Sequence, residues 1–397
     1  MDETLNPYAP GAGTRPPELV GRGPVITDVA VALARTAKGR AARHTIMMGL
    51  RGVGKTVLLD HLYRQALTEG YAAVKIEAPE NQKLADLLVP NLRRVLLELD
   101  RKGAAAKTMR SAFAALRNFA SAFKVSVGGV EVEVTPDDRG VADSGDLGLD
   151  LKDLLSAVAD AAADRKTALA IFIDEIQYLT SDDLGAFLSA LHQVGQAAKP
   201  VLLVGAGLPQ IAGLMGEAKS YSERLIRFVN VGPLSLEDAR AALSVPAEAE
   251  DVRWQRDALD RVFAITKGYP YFIQEWGAET WRVARTTPIT LADVEAATPL
   301  AIDELDQSFF RVRLDRLSAA ERKYLRAMAE AEDGERVASS AVAKQMGRTI
   351  GSVAPTRDSL IKKGMIYAVQ YGEVGFTVPL FGEFMRRAVP SDNDEVR

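Results

Sequence analysis

The segment Gly49–Thr56 constrains this chain more than any other part of its sequence. It reads G-L-R-G-V-G-K-T and fits the pattern G-x-x-x-x-G-K-[ST] at every fixed position. The apolar residues 45–48 before it predict a strand, and leucines at helical spacing after it predict a helix that stops at Gly70. A strand, a glycine loop and a helix in this order predict a phosphate site, because the loop N–H groups and the helix N-terminus both favour an anion.

The loop and the start of the helix therefore supply the predicted nucleotide-binding residues. Lys55 is expected to neutralise charge on the β- and γ-phosphates, and Thr56 is expected to ligate Mg²⁺. The implied ligand is ATP with Mg²⁺. The residues predicted to bind it here are Gly49, Leu50, Arg51, Gly52, Val53, Gly54, Lys55, Thr56 and Val57.

A second motif, residues 170–175, is an apolar strand that ends in two carboxylates. We expect Asp174 to hold Mg²⁺ through water and Glu175 to activate the water that attacks the γ-phosphate. Alone, such a strand end would more often be an ordinary surface feature. Paired with the glycine loop, it predicts ATP hydrolysis.

Further strands are predicted at residues 72–76, 168–173, 201–204 and 228–231, with helical patterns between them. This alternation predicts an α/β fold, a P-loop parallel sheet with helices on both faces. A long helical stretch at 81–123 and a β-hairpin at 125–134, around Gly128 and Gly129, read as an insertion of unknown purpose. The acidic residues after it fit no calcium loop and are expected to be solvated: Asp137, Asp138, Asp143, Asp146 and Asp150.

The last eighty residues have the pattern of a winged helix. Ser318 and Glu321 form a capping box that opens the first helix. Two more helices are predicted at 340–346 and 349–363, then wing strands at 365–369 and 376–378 and a closing helix at 381–387. Basic residues around the third helix are candidates for contact with DNA phosphates: Arg348, Arg357, Lys362 and Lys363. Winged helices also serve as protein-binding modules, and few side chains here suit base edges.

Composition limits the alternatives. The chain has no cysteine and three histidines, which excludes disulfides and thiol nucleophiles and leaves little for a transition-metal site. No apolar stretch is long enough to span a membrane, and the N-terminus lacks a leader pattern, so the expected location is cytoplasmic. A net charge of -4 means that any DNA contact is local.

Together the two motifs resemble AAA+ ATPases, in particular their initiator and STAND-type signalling branches. The resemblance implies that Val20 and Gly21, within residues 19–22, lie near adenine, and that Pro270, in the Gly268–Phe272 element, contacts the base. An ordinary turn and a plain helix start remain the alternatives. Where the family has a polar sensor residue, residues 204–209 offer only glycine, alanine and apolar side chains, which puts side-chain sensing of the γ-phosphate in doubt.

The resemblance also implies an arginine finger that acts on the nucleotide of a neighbouring copy. Arg224 is the first choice and Arg227 the second, with an exposed, salt-bridged arginine as the alternative. A finger of this kind predicts a homo-oligomer. The predicted division is an extended arm at 1–18, an ATPase core at 19–234, a helical lid at 235–304, a connecting helix at 305–317, a winged helix at 318–390 and a tail at 391–397.

Two functions fit this organisation. The first is an ATP-controlled switch that presents its winged helix to duplex DNA. The second is a signalling or regulatory ATPase whose winged helix binds protein. A processive motor is less favoured, because the chain has a single glycine-loop motif and no evident pore loop.

Overall fold

A computed structural model describes residues 1–11, 13, 16, 18–80, 82–101, 106–125, 141–331 and 336–390. Residues 126–134 of the predicted hairpin, Asp137 and Asp138 lie outside these ranges. The chain divides into two compact units. The sheet unit comprises Arg22–Gly49 and Lys55–Val231, and the helical unit comprises Met1–Gly21, Leu50–Gly54 and Gly232–Arg397.

The sheet unit is built on a parallel sheet, as the alternating pattern predicted. Its order is β2-β3-β4-β1-β5 across the described residues, and every neighbouring pair is parallel. The strands are β1 His44–Met48, β2 Ala72–Glu77, β3 Leu169–Asp174, β4 Val201–Gly207 and β5 Ile226–Asn230. Every residue of β3 and β4 is buried, which is the burial expected for central strands with helices on both faces.

Helices flank this sheet and complete its core. They are α1 Gly23–Ala37, α2 Lys55–Thr68, α3 Leu84–Asp100, α4 Ala106–Ala122, α5 Leu147–Ala163, α6 Ser181–Gln196, α7 Ile211–Ala218 and α8 Ser222–Leu225. The helical stretch predicted at 81–123 is thus two helices. Helix α4 packs on α3 and α5, and it contributes Leu116 and Phe119 to the same core as Ile171 and Leu203.

The acidic segment after the insertion differs from its predicted solvated state at one residue. Asp150 lies in α5 and is buried, and its carboxylate accepts hydrogen bonds from the Ser144 and Gly145 N–H groups and the Ser144 hydroxyl. Asp146 caps the same helix by accepting the Leu149 N–H. The carboxylates of Asp146 and Asp150 thus order the segment that leads into α5. Among the described residues, no three or more His, Asp or Glu side chains are arranged for a metal ion.

The helical unit begins with the N-terminal segment, which contains a short 3-10 helix at Glu3–Leu5. Tyr8 is buried in this unit between Trp254 and Trp281, and its hydroxyl donates to the Leu243 carbonyl. The segment is therefore packed against the lid helices, a contact that its proline and glycine content did not predict. The lid helices are α9 Leu236–Glu248, α10 Arg256–Thr266, α11 Pro270–Val283 and α12 Leu291–Glu304.

A π-helix at Leu305–Phe310 and a short helix α13 Arg311–Asp315 follow the lid. Then come α14 Ala319–Glu330, β6 Val337–Ala338, α15 Ser339–Gln345, α16 Ile350–Lys362, β7 Ile366–Gln370, β8 Glu373–Phe376 and α17 Phe381–Ala388. The Ser318–Glu321 capping box is present as predicted. The antiparallel sheet β6-β8-β7 and these helices form the expected winged helix.

An aromatic chain connects the lid to the winged helix within the helical unit. Tyr271 of α11 stacks on Phe309 with ring centroids 4.7 Å apart, and Phe310 stacks on Phe384 of α17 at 5.1 Å. The π-helix supplies both phenylalanines and therefore contacts both modules through adjacent side chains. None of the described helices is long and apolar enough to cross a membrane.

Candidate functional site

The acidic pair lies at the carboxyl end of the central strand β3, where parallel sheets usually bind ligands. Asp174 is 5% exposed and its carboxylate accepts the Glu175 N–H at 2.9 Å. The Thr56 hydroxyl is hydrogen-bonded to the same carboxylate, and the charge of Lys55 acts on it. Three residues predicted separately from two motifs therefore meet in the sheet unit.

Burial raises the pKa of Asp174, and the Thr56 hydroxyl opposes that rise by stabilising the charged form; the Glu175 charge adds to the rise. A hydroxyl and a carboxylate in contact are two hard oxygen donors of the kind Mg²⁺ takes in nucleotide sites, where phosphates and water supply the others. The residues present thus fit a magnesium ion between Thr56 and Asp174. A bound cation would also remove the penalty of burying the carboxylate.

Glu175 has a constrained backbone and a fixed side chain. Its φ of 50° lies in the left-handed region, which non-glycine residues adopt at a cost of about 1 kcal/mol or more. The Gln177 side-chain N–H donates to the Glu175 carboxylate. The Gln177 side-chain oxygen accepts the Leu208 N–H at 3.0 Å. Gln177, which the sequence reading missed, therefore ties Glu175 to the end of β4.

The two glycines at the end of β4, Gly205 and Gly207, lie close to neighbouring side chains, among them the Gln177 amide. A Cβ on Gly207 would lie 2.7 Å from the Gln177 oxygen, and one on Gly205 would lie 2.6 Å from the Ile46 side chain. A side chain at either position would therefore displace the Ile46 or Gln177 side chain. The available signal was a glutamine two residues beyond an acidic strand end, in a segment that is otherwise apolar.

The glycine loop, Leu50–Gly54, belongs to the helical unit. Gly52 and Gly54 have φ of 83° and 89°, which only glycine adopts without strain. The Tyr271 N–H donates to the Gly52 carbonyl at 3.3 Å, and the Arg51 N–H donates to the Thr377 carbonyl at 3.2 Å. The loop is thus hydrogen-bonded to α11 of the lid and to the segment after β8 of the winged helix.

Positive charge accumulates beside this loop. The partly buried guanidinium of Arg313 lies 3.7 Å from the centroid of the Phe309 ring. Burial, and then the nearby charge of Arg51, lower the pKa of Arg313 to about 10. Two neighbouring guanidinium groups form an environment that favours an anion. Sequence patterns did not indicate Arg313, because it lies far from the loop in the chain.

The residues predicted to surround adenine share one neighbour. A Cβ on Gly21 would lie 2.7 Å from the Asp238 carboxylate and 3.3 Å from Leu234. A Cβ on Gly268 would lie 2.4 Å from the Leu234 carbonyl oxygen. The Leu234 N–H donates to the Gly268 carbonyl at 2.8 Å. The segment containing Val20 and Gly21 and the segment leading to Pro270 therefore both pack on Leu234. Pro270 is the first residue of α11.

The two arginine-finger candidates have different surroundings. Arg227 forms an ion pair with Asp28 at 2.7 Å. Arg224, in α8, is exposed and has no ion pair with any described residue. Arg224 is consequently the arginine of this pair that is available to a second molecule.

The basic residues of the winged helix fall into two groups. Lys363 is paired with Glu321 at 2.8 Å, and Arg357 is paired with Asp358 at 2.9 Å. Arg348 and Lys362 are exposed and make no ion pair within the described ranges. Half of the predicted DNA-contacting charges are therefore neutralised inside the protein.

A parallel sheet with β1 followed by a glycine loop, and an Asp-Glu pair at the end of β3, define the class of P-loop nucleoside triphosphatases. Within that class, residues 18–204 match the family described as "AAA ATPase domain". This match agrees with the AAA+ resemblance of the two sequence motifs. Residues 307–385 match a family described only as a domain of unknown function.

Solved structures of similar fold span almost the whole chain. A Walker-type ATPase of Pyrococcus abyssi has a TM-score of 0.59 at 16% identity, covering 96% of this chain and 99% of that one. The RuvB Holliday junction branch migration motor of Thermotoga maritima has a TM-score of 0.47 at 16% identity, covering 92% and 96%. The Orc1 protein of Aeropyrum pernix in complex with DNA gives 0.45 at 16% identity, covering 94% of each. No curated protein matches in sequence.

Proposed function

We propose that this protein is an ATP-binding AAA ATPase that acts as a nucleotide-controlled switch and moves its winged helix between states. The observation that carries the proposal is the hydrogen bond from the Arg51 N–H to the Thr377 carbonyl. It ties the loop expected to hold phosphate directly to the winged helix. A change in the loop on nucleotide binding or hydrolysis therefore acts on the position of Thr377.

The proposed chemistry is hydrolysis of the γ-phosphate of ATP. The segment Gly49–Val57 binds the phosphates, with Lys55 neutralising negative charge. Thr56 and Asp174 would hold Mg²⁺, which supplies charge neutralisation at the phosphate oxygens. Glu175 accepts a proton from the attacking water as the water oxygen bonds to the γ-phosphorus and the bond to the β-phosphate oxygen breaks.

Further residues complete the proposed site. Val20, Gly21 and Pro270 contact adenine, and Leu234 holds their segments together. Arg224 of a neighbouring copy stabilises charge in the transition state, which makes the active form a homo-oligomer. We propose a cytoplasmic location, since the chain has no cysteine with which to form disulfides.

We propose duplex DNA as the partner of the winged helix. Arg348 and Lys362 are exposed basic side chains at opposite ends of the α16 region, and the fully exposed ring of Tyr371 lies at the tip of the wing. Phosphates and a groove edge are the surfaces that such a set contacts. The pairing of Lys363 and Arg357 with acids favours a second candidate, a regulatory switch whose winged helix binds a protein.

Fluorescence anisotropy with random duplex DNA distinguishes the two candidates. Binding is measured with ATP, with ADP and without nucleotide, at two salt concentrations. We expect salt-dependent binding that differs between ATP and ADP. Lys55→Ala should abolish the difference between nucleotides, and the double change Arg348→Ala and Lys362→Ala should weaken binding in every state. Absence of DNA binding in all nucleotide states would refute the DNA role and leave the protein-binding switch as the remaining candidate.

A further inference from the structure

A cavity of about 570 Å³ in the helical unit has a strongly acidic lining. We call it the acid cavity. The N-terminal segment, α11, the end of α12 and the π-helix line it, and it opens to solvent on one side. Its charged and aromatic lining includes Glu3, Glu275, Glu279, Glu304, Arg282 and Tyr271. The volume falls within the range of about 300–1,000 Å³ typical of small-molecule sites.

The acid cavity has more negative than positive charge. Arg282 pairs with Glu3 at 2.7 Å and with Glu279 on the same helix. The carboxylates of Glu275 and Glu304 form no hydrogen bond or ion pair with any residue that the structure describes. One cation thus serves four carboxylates.

The carboxylate with the most unfavourable surroundings in the acid cavity is that of Glu275. It is 3% exposed and lines the cavity without a partner. Burial of an unpaired carboxylate is strongly unfavourable, and here it raises the pKa of Glu275 to about 7, with further contributions from the charges of Glu304 and Glu279. A bound cation would remove this penalty.

We propose that the acid cavity binds a small alkylammonium ligand, with an ammonium group held by Glu275 and Glu304 and its methylene chain against the Tyr271 ring. A diamine suits the cavity because it carries a cation at each end and apolar carbon between. The described residues provide no cluster of three His, Asp or Glu side chains arranged for a metal ion, so an extended organic cation fits better than a bare ion. Contact between the methylene chain and the aromatic ring adds burial of apolar surface.

Occupancy of the cavity also affects the glycine loop. Tyr271 lines the cavity with its side chain and donates its N–H to the Gly52 carbonyl. Its ring stacks on Phe309 of the π-helix. The ligand therefore alters ATP affinity, a consequence that rests on the proposed function. Binding of the ligand itself does not depend on it and is measured without nucleotide.

Isothermal titration calorimetry of the full chain with putrescine tests the proposal. At constant ionic strength and about pH 8, we expect one saturable site per chain whose Kd rises about tenfold or more in Glu275→Gln. Glu304→Gln should also weaken binding. The control Glu248→Gln removes an exposed charge from α9 and should leave Kd unchanged. Folding of each variant is checked by tryptophan fluorescence.

Three outcomes would overturn the proposal. They are no saturable binding, equal weakening by Glu248→Gln and Glu275→Gln, and displacement of putrescine by an equal concentration of Mg²⁺. A second titration uses Nα-acetyl-lysine methylamide. Tighter binding of this compound than of putrescine would favour a lysine side chain over a free diamine as the source of the ammonium group and still support the alkylammonium site. If putrescine binds but ATP does not, the acid cavity stands and the proposed nucleotide function fails.

Discussion

Glu275→Gln is expected to stabilise the helical unit at alkaline pH and to have a much smaller effect, less than about 1 kcal/mol, near pH 5. Glutamine has the shape of a protonated glutamate and carries no charge. The pKa of Glu275 is about 7 in the folded protein, raised first by burial from its ordinary value of 4.5. The folded state therefore binds the proton more tightly than the unfolded state, so stability falls as the pH rises through this interval.

The size of the effect follows from the two pKa values. The interval from 4.5 to about 7, at 1.36 kcal/mol for each pH unit, corresponds to about 3 kcal/mol of destabilisation once Glu275 is ionised in both states. The charged groups facing it are Glu3 on the N-terminal segment, Glu279 and Arg282 on α11, and Glu304 at the end of α12. At about pH 8 the variant should be more stable than the wild type by up to this amount.

Urea denaturation followed by tryptophan fluorescence measures the effect selectively. All three tryptophans, Trp254, Trp276 and Trp281, lie in the helical unit, so their emission reports on that unit. Glu248→Gln is the control and should change stability by less than about 0.5 kcal/mol at either pH. A variant that is equally stabilised at about pH 5 and pH 8, or destabilised at about pH 8, would show that Glu275 is not an unpaired buried carboxylate.

Three other changes test the ATPase site and its supports. Gln177→Ala should lower kcat about tenfold with little change in KM for ATP, because it frees the carboxylate of the proposed base; Gln196→Ala, an exposed change on α6, should leave both unchanged, and a raised KM alone would contradict the positioning role. Arg224→Ala should lower hydrolysis per subunit only at protein concentrations where the chain oligomerises, and unchanged rates at all concentrations would exclude a finger acting between copies. Gly268→Ala should destabilise the helical unit by about 2 kcal/mol or more in urea, because its φ of 75° is strained for alanine and its Cβ would meet a backbone carbonyl at 2.4 Å, whereas Gly351→Ala in open space on α16 should be neutral or stabilising.

Local sequence signals predicted much of this fold because the features concerned are encoded within a few residues. The alternation of apolar strands with helical patterns gave the parallel sheet, and the capping box Ser318–Glu321 gave the start of α14. The β5 strand begins at Ile226, before the predicted residue 228, because its first residues pair with β1 although their side chains are not uniformly apolar. Pairing across a sheet overrides the local pattern at strand ends.

Contacts between distant segments account for what the sequence did not predict. Gln177 bonds to the N–H of Leu208, 31 residues away, and Arg51 bonds to Thr377 near the other end of the chain. Gln177 follows the acidic pair by two positions in the sequence, but its role depends on where β4 ends in space. Similarly, the acid cavity joins residues from the first ten positions to residues of α11 and α12.

The charge around the glycine loop gives a physical reason for a nucleotide-dependent switch. The charge of Arg51 disfavours the charged form of Arg313, while the N–H of Arg51 donates to the Thr377 carbonyl. A phosphate group near both guanidinium groups would offset this repulsion and raise the pKa of Arg313. The free energy of this attraction between phosphate and guanidinium depends on the charge of the phosphate chain. It involves Arg51, whose N–H donates to the winged helix at Thr377. Under the proposed function, ATP and ADP, which differ by one phosphate, should therefore favour different positions of Thr377, and this difference would couple the nucleotide to the winged helix.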